Sequence, residues 1–140
     1  MKKLILTAAA ASTLAFSQTS IAAYPEKSIR LVVPFATGGT SEIIARSVAN
    51  SLSTSLGQSV YVDNKPGGAG NIAMEEVKRA NPDGYTLILG HVGTLAVNPA
   101  LFGPKLPYDP NKDFAPITLV AKVPNVIAVS SKSANKTLAD

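Results

Sequence analysis

Three short stretches carry the residue types and spacings that suit ligand chemistry: Phe35-Ala36-Thr37-Gly38-Gly39-Thr40-Ser41, Asn64-Lys65-Pro66-Gly67-Gly68-Ala69-Gly70 and Gly90-His91-Val92-Gly93-Thr94. In the first, Gly38 and Gly39 permit a sharp turn and let a ligand approach the backbone closely. Thr40 or Ser41 is placed to cap a following helix, whose free N–H groups and positive dipole end face back onto the loop. That combination suits an anion. Residues 35–41 are therefore expected to form one wall of a carboxylate-binding cleft.

Other chemistries find less support. Gly68-Ala69-Gly70-Asn71-Ile72-Ala73 fits the dinucleotide pattern G-x-G-x-x-[G/A] between a strand and a helix. It follows the second strand, however, and the acidic residue wanted at the end of the next strand is replaced by Gly90 and His91. His91 is the single histidine; on its loop it either hydrogen-bonds a carboxylate or is a solvated bystander, and both readings stand. Without a second histidine or a cysteine no metal is expected, and no cofactor. There is no G-x-S-x-G elbow, thiol nucleophile or pair of acids at helical spacing facing a cleft, so no catalysis is expected. Ser41 with His91 is the one combination a secreted hydrolase would use. Glu75 and Glu76 are adjacent, point to different sides of a helix and are expected to be solvated.

These stretches need elements to position them. Residues 28–33 read as a β-branched strand closed by Pro34. In the next helix Ile44, Val48, Leu52 and Leu56 form an apolar stripe with Ile43 and Ala45 beside it, opposite Ser47, Asn50, Ser51 and Thr54, and Gly57 ends it. Residues 59–63 form a second strand, Asn71 opens a helix through Ile72, Met74, Val77 and Ala80, and Asn81-Pro82-Asp83-Gly84 is a turn. Residues 85–89, nearly all apolar, read as a parallel strand covered on both faces, followed by a short helical piece at 95–102. Alternating strands and helices predict βαβ units and a parallel sheet, with all three glycine loops at one edge. Residues 103–113, rich in proline, predict no regular element; 114–123 and 125–130 read as strand-like runs about Pro124, and 133–140 as the first turn of a helix.

The N-terminus has the pattern of a secretory signal peptide: Lys2 and Lys3, an apolar run, then Ser20-Ile21-Ala22, with cleavage expected after Ala22. The 0 Cys leave no disulfide framework and no lipid-bearing thiol, which fits a chain free in a periplasm. The 13 Lys and Arg include Lys2 and Lys3, so 11 stand against 9 Asp and Glu after cleavage, a net of +2. These charges are scattered singly without interleaved aromatics, which predicts no nucleic-acid groove and no polybasic membrane patch. The residues beyond position 22 suffice for one small domain of the usual ~100 to 150 residues.

The residues also carry a resemblance. Tyr24-Pro25 with Lys27, Ile29-Arg30-Leu31-Val32-Val33-Pro34-Phe35, Gly38-Gly39, Asn64-Lys65-Pro66-Gly67 with Gly70-Asn71-Ile72, Pro82-Asp83-Gly84-Tyr85-Thr86-Leu87, Gly93-Thr94-Leu95-Ala96-Val97-Asn98-Pro99 and Leu106-Pro107-Tyr108-Asp109-Pro110 with Asp113-Phe114-Ala115-Pro116 together resemble the Bug family, the periplasmic solute-binding receptors of tripartite tricarboxylate transporters. The resemblance implies an α/β fold of the periplasmic-binding-protein type II, here the parallel sheet of the first lobe with only the beginning of the second. It implies a signal peptide at 1–22, a first lobe at 23–116, an inter-lobe crossing strand at 117–124 and the truncated start of the second lobe at 125–140.

By the same resemblance the ligand is a small organic carboxylate, held largely by backbone groups and waters of the loops after the first and third strands. The matching positions are Phe35, Ala36, Gly38, Gly39, Thr40, Ser41 and Glu42, with Gly90, His91, Gly93 and Thr94. Neither loop contains arginine, which agrees with that mode. Two departures stand out: Glu42 lies where the family usually has the shorter aspartate, which bears on the choice of ligand, and Ala73 replaces a common glycine. The implied partners are membrane permease subunits of a tripartite tricarboxylate transporter, or alternatively a sensor-kinase ectodomain, and no nucleic acid.

Overall fold

The computed structural model describes residues 24–124, 126–135 and 137. The expected signal peptide at 1–22 lies outside the described residues, as do Asn125, Lys136 and 138–140 of the expected second-lobe start. Three strands and three α-helices follow in the order β1 (Ile29–Val33), α1 (Thr40–Leu56), β2 (Val60–Asn64), α2 (Asn71–Lys78), β3 (Thr86–Ile88) and α3 (Asn98–Phe102). A 3₁₀ turn, Gly68–Gly70, precedes α2, a π turn, Gly93–Val97, precedes α3, and a second 3₁₀ turn, Gly103–Lys105, follows it.

The sheet is parallel with order β2-β1-β3, pairing Ile29 with Val60 and Arg30 with Thr86. β1 is β-branched at three of its five positions and sits in the middle, where residues of that shape pack on both faces. Ile29, Leu31 and Val33 point to the face covered by α1 and meet Ala45, Ala49 and Val60, with Val48, Leu52, Val62, Leu87 and Leu89 packed around them. Arg30 and Val32 alternate to the opposite face, where α2 buries Ala73 and Met74. There the guanidinium of Arg30 donates to Asp63 at 2.8 and 2.6 Å and to Glu76 at 2.5 Å. Glu76 is therefore an ion-pair partner in this structure, and Glu75 pairs with Arg79 one turn along; neither is merely solvated.

α1 ends as its sequence predicts: Gly57 adopts φ +67° and its N–H returns to the Ser53 carbonyl. The Ser53 hydroxyl in turn accepts the Val60 N–H at 2.8 Å, fixing the start of β2 on the end of α1. The buried face of the helix is rotated from the expected stripe. Ala45 and Ala49 lie deepest, whereas Ile43 is 66% exposed and Leu56 lies at the rim, because small residues let the helix sit close to the strand.

Two further expectations change. β3 spans only Thr86–Ile88, lies at an edge and is half-buried, so its apolar run reflects one covered face rather than two. Residues 103–113 are more ordered than a proline-rich linker. They fold back onto α2 through Lys78, which donates to the Pro107 carbonyl and pairs with Asp113 at 2.9 Å, and Tyr108 becomes fully buried against Phe114. Among the described residues from 114 onward no strand or helix forms. The strand-like runs lie open, with Ile117 78% and Ile127 81% exposed. Among the described residues no helix is long and apolar enough to cross a membrane.

Candidate functional site

All three strands run the same way, so the loops that leave their carboxyl ends emerge along one edge. The Lys65 N–H donates to the Val33 carbonyl and the Leu89 N–H to the Val32 carbonyl, at 2.8 and 2.9 Å, anchoring the second and third loops beside the end of β1.

In the first loop, neither Thr40 nor Ser41 caps α1. Gly39 is the N-cap residue and supplies no side chain. Glu42 reaches back instead: one carboxylate oxygen accepts the Gly38 N–H at 2.5 Å and the other accepts from Arg46 at 2.8 and 2.5 Å. Its side chain is buried at the base of the loop, and the Gly38 amide, helped by Arg46, holds the carboxyl below its usual range. The extra methylene of glutamate supplies the reach to position 38. This also limits the anion site, since the Gly38 amide and part of the helix's positive end are already engaged by a resident carboxylate. Of the helix end itself, the first-turn amides of Thr40 and Ser41, which have no intrahelical acceptor, remain for an incoming anion.

In the third loop, Thr94 is fully buried. Its hydroxyl accepts the His91 N–H at 3.2 Å and lies 3.1 Å from the His91 carbonyl, to which it donates. It therefore shapes the loop from inside. His91 itself is exposed, and its Nδ1 accepts the Gly93 N–H at 3.0 Å, so the ring carries its proton on Nε2. The imidazole packs edge-on against Phe35, with ring centroids 5.0 Å apart and planes at 76°. First and third loops thus meet through Phe35 and His91. Among the described residues no hydrogen bond joins Ser41 to His91, and His91 Nδ1 is taken by the Gly93 N–H.

The second loop fits between the others. Gly70 has φ +87°, and a β-carbon there would stand 2.6 Å from the Thr94 methyl and 3.3 Å from Pro34. Asn64 donates to the Phe35 carbonyl at 3.0 Å, tying the second loop to the first. Behind these loops lies a polar network. Asn98 donates to the Ala69 carbonyl at 3.0 Å and to the Asn71 side chain at 2.7 Å. The Tyr108 hydroxyl donates to the Thr94 carbonyl at 2.6 Å and lies 3.2 Å from the Asn71 side-chain oxygen. Burial pushes the Tyr108 phenol up.

The structure therefore sorts the expected site residues. Phe35 and His91 meet; Ala36, Gly38, Gly39, Thr40 and Gly90 are exposed around them; Ser41 and Gly93 are half-buried; Glu42 and Thr94 are buried supports. Asn64, Gly70, Asn71, Asn98 and Tyr108 join the site unexpectedly. All five lie in the motifs that carry the family resemblance, but neither those motifs nor the residue types reveal that they meet. Among the described residues no group of three or more metal-ligating side chains occurs. An open concavity of about 360 Å³ runs along α1 and β2, lined by Arg46, Asn50, Ser53 and Tyr61 among others, away from the loop edge.

A parallel sheet with glycine loops converging at its carboxyl edge is the first lobe of a periplasmic binding protein, and solved structures of that class superpose on it. The periplasmic binding protein BugD matches with a TM-score of 0.62 at 42% identity, over 67% of this chain and 31% of that one. MatC from Rhodopseudomonas palustris with bound malate matches with a TM-score of 0.66 at 43% identity, over 69% and 33%. A UPF0065 protein of Agrobacterium vitis, encoded in the TAR-I ttuE-ttuC' intergenic region, is 40% identical over 136 residues, 97% of this chain and 38% of its own length. Residues 44–140 match the family described as the tripartite tricarboxylate transporter family receptor, and the chain belongs to that family. It spans about a third of the length of these relatives.

Proposed function

We propose that this chain supplies one wall of a periplasmic receptor that captures a small organic carboxylate and delivers it to the membrane permease subunits of a tripartite tricarboxylate transporter, without catalysing a reaction. The observation that carries this reading is the meeting of the first and third loops at Phe35 and His91, beside the first turn of α1. Backbone amides of exposed Ala36, Gly39, Thr40 and Gly90 are the donors available to a carboxylate there, with the His91 Nε2–H beside them. No lysine or arginine stands in either loop, so recognition rests on directional amides rather than a counter-ion. Membership of the receptor family and the malate-bound relative support the ligand class.

Binding in this class of fold takes two walls, and this chain spans about a third of the length of its relatives. The test is calorimetry on the chain expressed within its complete reading frame, against di- and tricarboxylates, acidic amino acids and aromatic acids. At least one acid is expected to bind. A folded protein that binds none of the panel overturns the reading. The 140-residue chain alone is expected to show no micromolar affinity.

A further inference from the structure

We propose that Asn71, Asn98 and Tyr108 are positioning residues for the binding loops, holding the Gly90–Thr94 loop in its ligand-ready shape through the carbonyl of Thr94; the proposal rests on the receptor reading above. The three side chains come from distant points of the chain and converge behind the loop edge without touching its exposed surface. Asn98 is 4% exposed and Tyr108 also 4%, so each polar atom there must find its partner inside the protein. Asn98 spends both amide protons, on the Ala69 carbonyl of the second loop and on Asn71 at the head of α2. The single proton of the Tyr108 hydroxyl goes to the nearer acceptor, the Thr94 carbonyl at 2.6 Å.

Thr94 transmits this outward. Its carbonyl is fixed by Tyr108 and its methyl is wedged against Gly70, while its hydroxyl grips both backbone groups of His91. The ring of His91 then sets Gly93 through Nδ1 and meets Phe35. A single buried tyrosine proton is thus connected, through one threonine, to the two loops expected to meet ligand. Removing it leaves a buried carbonyl without a donor, which weakens that loop locally and leaves the Tyr108 ring packed on Phe114.

The experiment is residue-resolved amide hydrogen exchange on Tyr108→Phe, the near-isosteric Thr94→Val and the double variant, all within the complete reading frame, paired with titration of malate, citrate and glutamate. In Y108F the Gly93 and Leu95 amides should exchange about tenfold faster, while the Ile29 and Arg30 amides of β1 keep their rates. In the double variant the acceleration should be no greater than in the worse single one, because Tyr108 acts through Thr94. Affinity for whichever of the three acids binds the parent should fall about tenfold in Y108F. Unchanged exchange, acceleration spread equally over β1, additive effects in the double variant, or unchanged affinity with faster loop exchange would each overturn the proposal. If the parent binds none of the acids the receptor reading fails, and the exchange data alone decide whether Tyr108 holds the loop.

Discussion

Glu42 shows how much a single side chain changes the meaning of its loop. From the sequence it stands in the first turn of a helix, where any acid is favourable. The structure adds that its carboxylate takes the Gly38 amide and Arg46, so it acts as an internal anion that shapes the loop. Because its folded carboxyl titrates below the ordinary value of 4.5, the ionised form stabilises the fold fully above that pH, and the contribution disappears as pH falls through the lower folded value. Glu42→Gln should therefore unfold at lower temperature than the parent at about pH 7, and the gap should close as pH falls through the lower folded value. Thermal melts of both proteins across that range check this; a gap independent of pH would show that charge is not what Glu42 supplies. The presence of the acid was legible in the sequence, but its target was not, since a reach from position 42 to 38 depends on where the Gly38-Gly39 turn aims its N–H groups.

Among the elements, the strand–loop–helix alternation was readable because β1 is so rich in β-branched residues and Gly57 stops α1 where its αL conformation is needed. The short β3 and the folded 103–113 segment were harder. Apolar residues 85–89 look the same whether one face or two is covered, and the order within 103–113 comes from Lys78 on another element. The fit of loop on loop has a direct test at Gly70, where φ is +87° and a methyl would meet Thr94 and Pro34. Gly70→Ala should cost about 1–3 kcal/mol of stability through strain and overpacking, read as a lower urea midpoint. A neutral outcome would mean that the three loops are not held in contact.

At the scale of the molecule, the described part of 114–137 leaves Ile117, Leu119, Val126 and Ile127 between 70% and 86% exposed. Apolar surface of this extent drives association unless something covers it. The 140-residue chain on its own should self-associate at micromolar concentration, and Ile117→Lys with Leu119→Lys should reduce this, as measured by light scattering; scattering unaffected by the pair would place the contact elsewhere. The sequence marked these residues as strand-like, which is a statement of propensity, and a strand needs a neighbour to pair with before propensity becomes structure. The same dependence governs β1 in time. Among the described residues it is the first strand and the middle one of the sheet, yet both of its neighbours arrive only after a helix has been made. With no local hairpin to close, the earliest-made strand is the last to be enclosed. Such non-local pairing slows folding, leaving an interval in which the chain stays extended. For the periplasmic receptor proposed above that interval has a use, because a channel of the general secretory type threads only what has not yet folded.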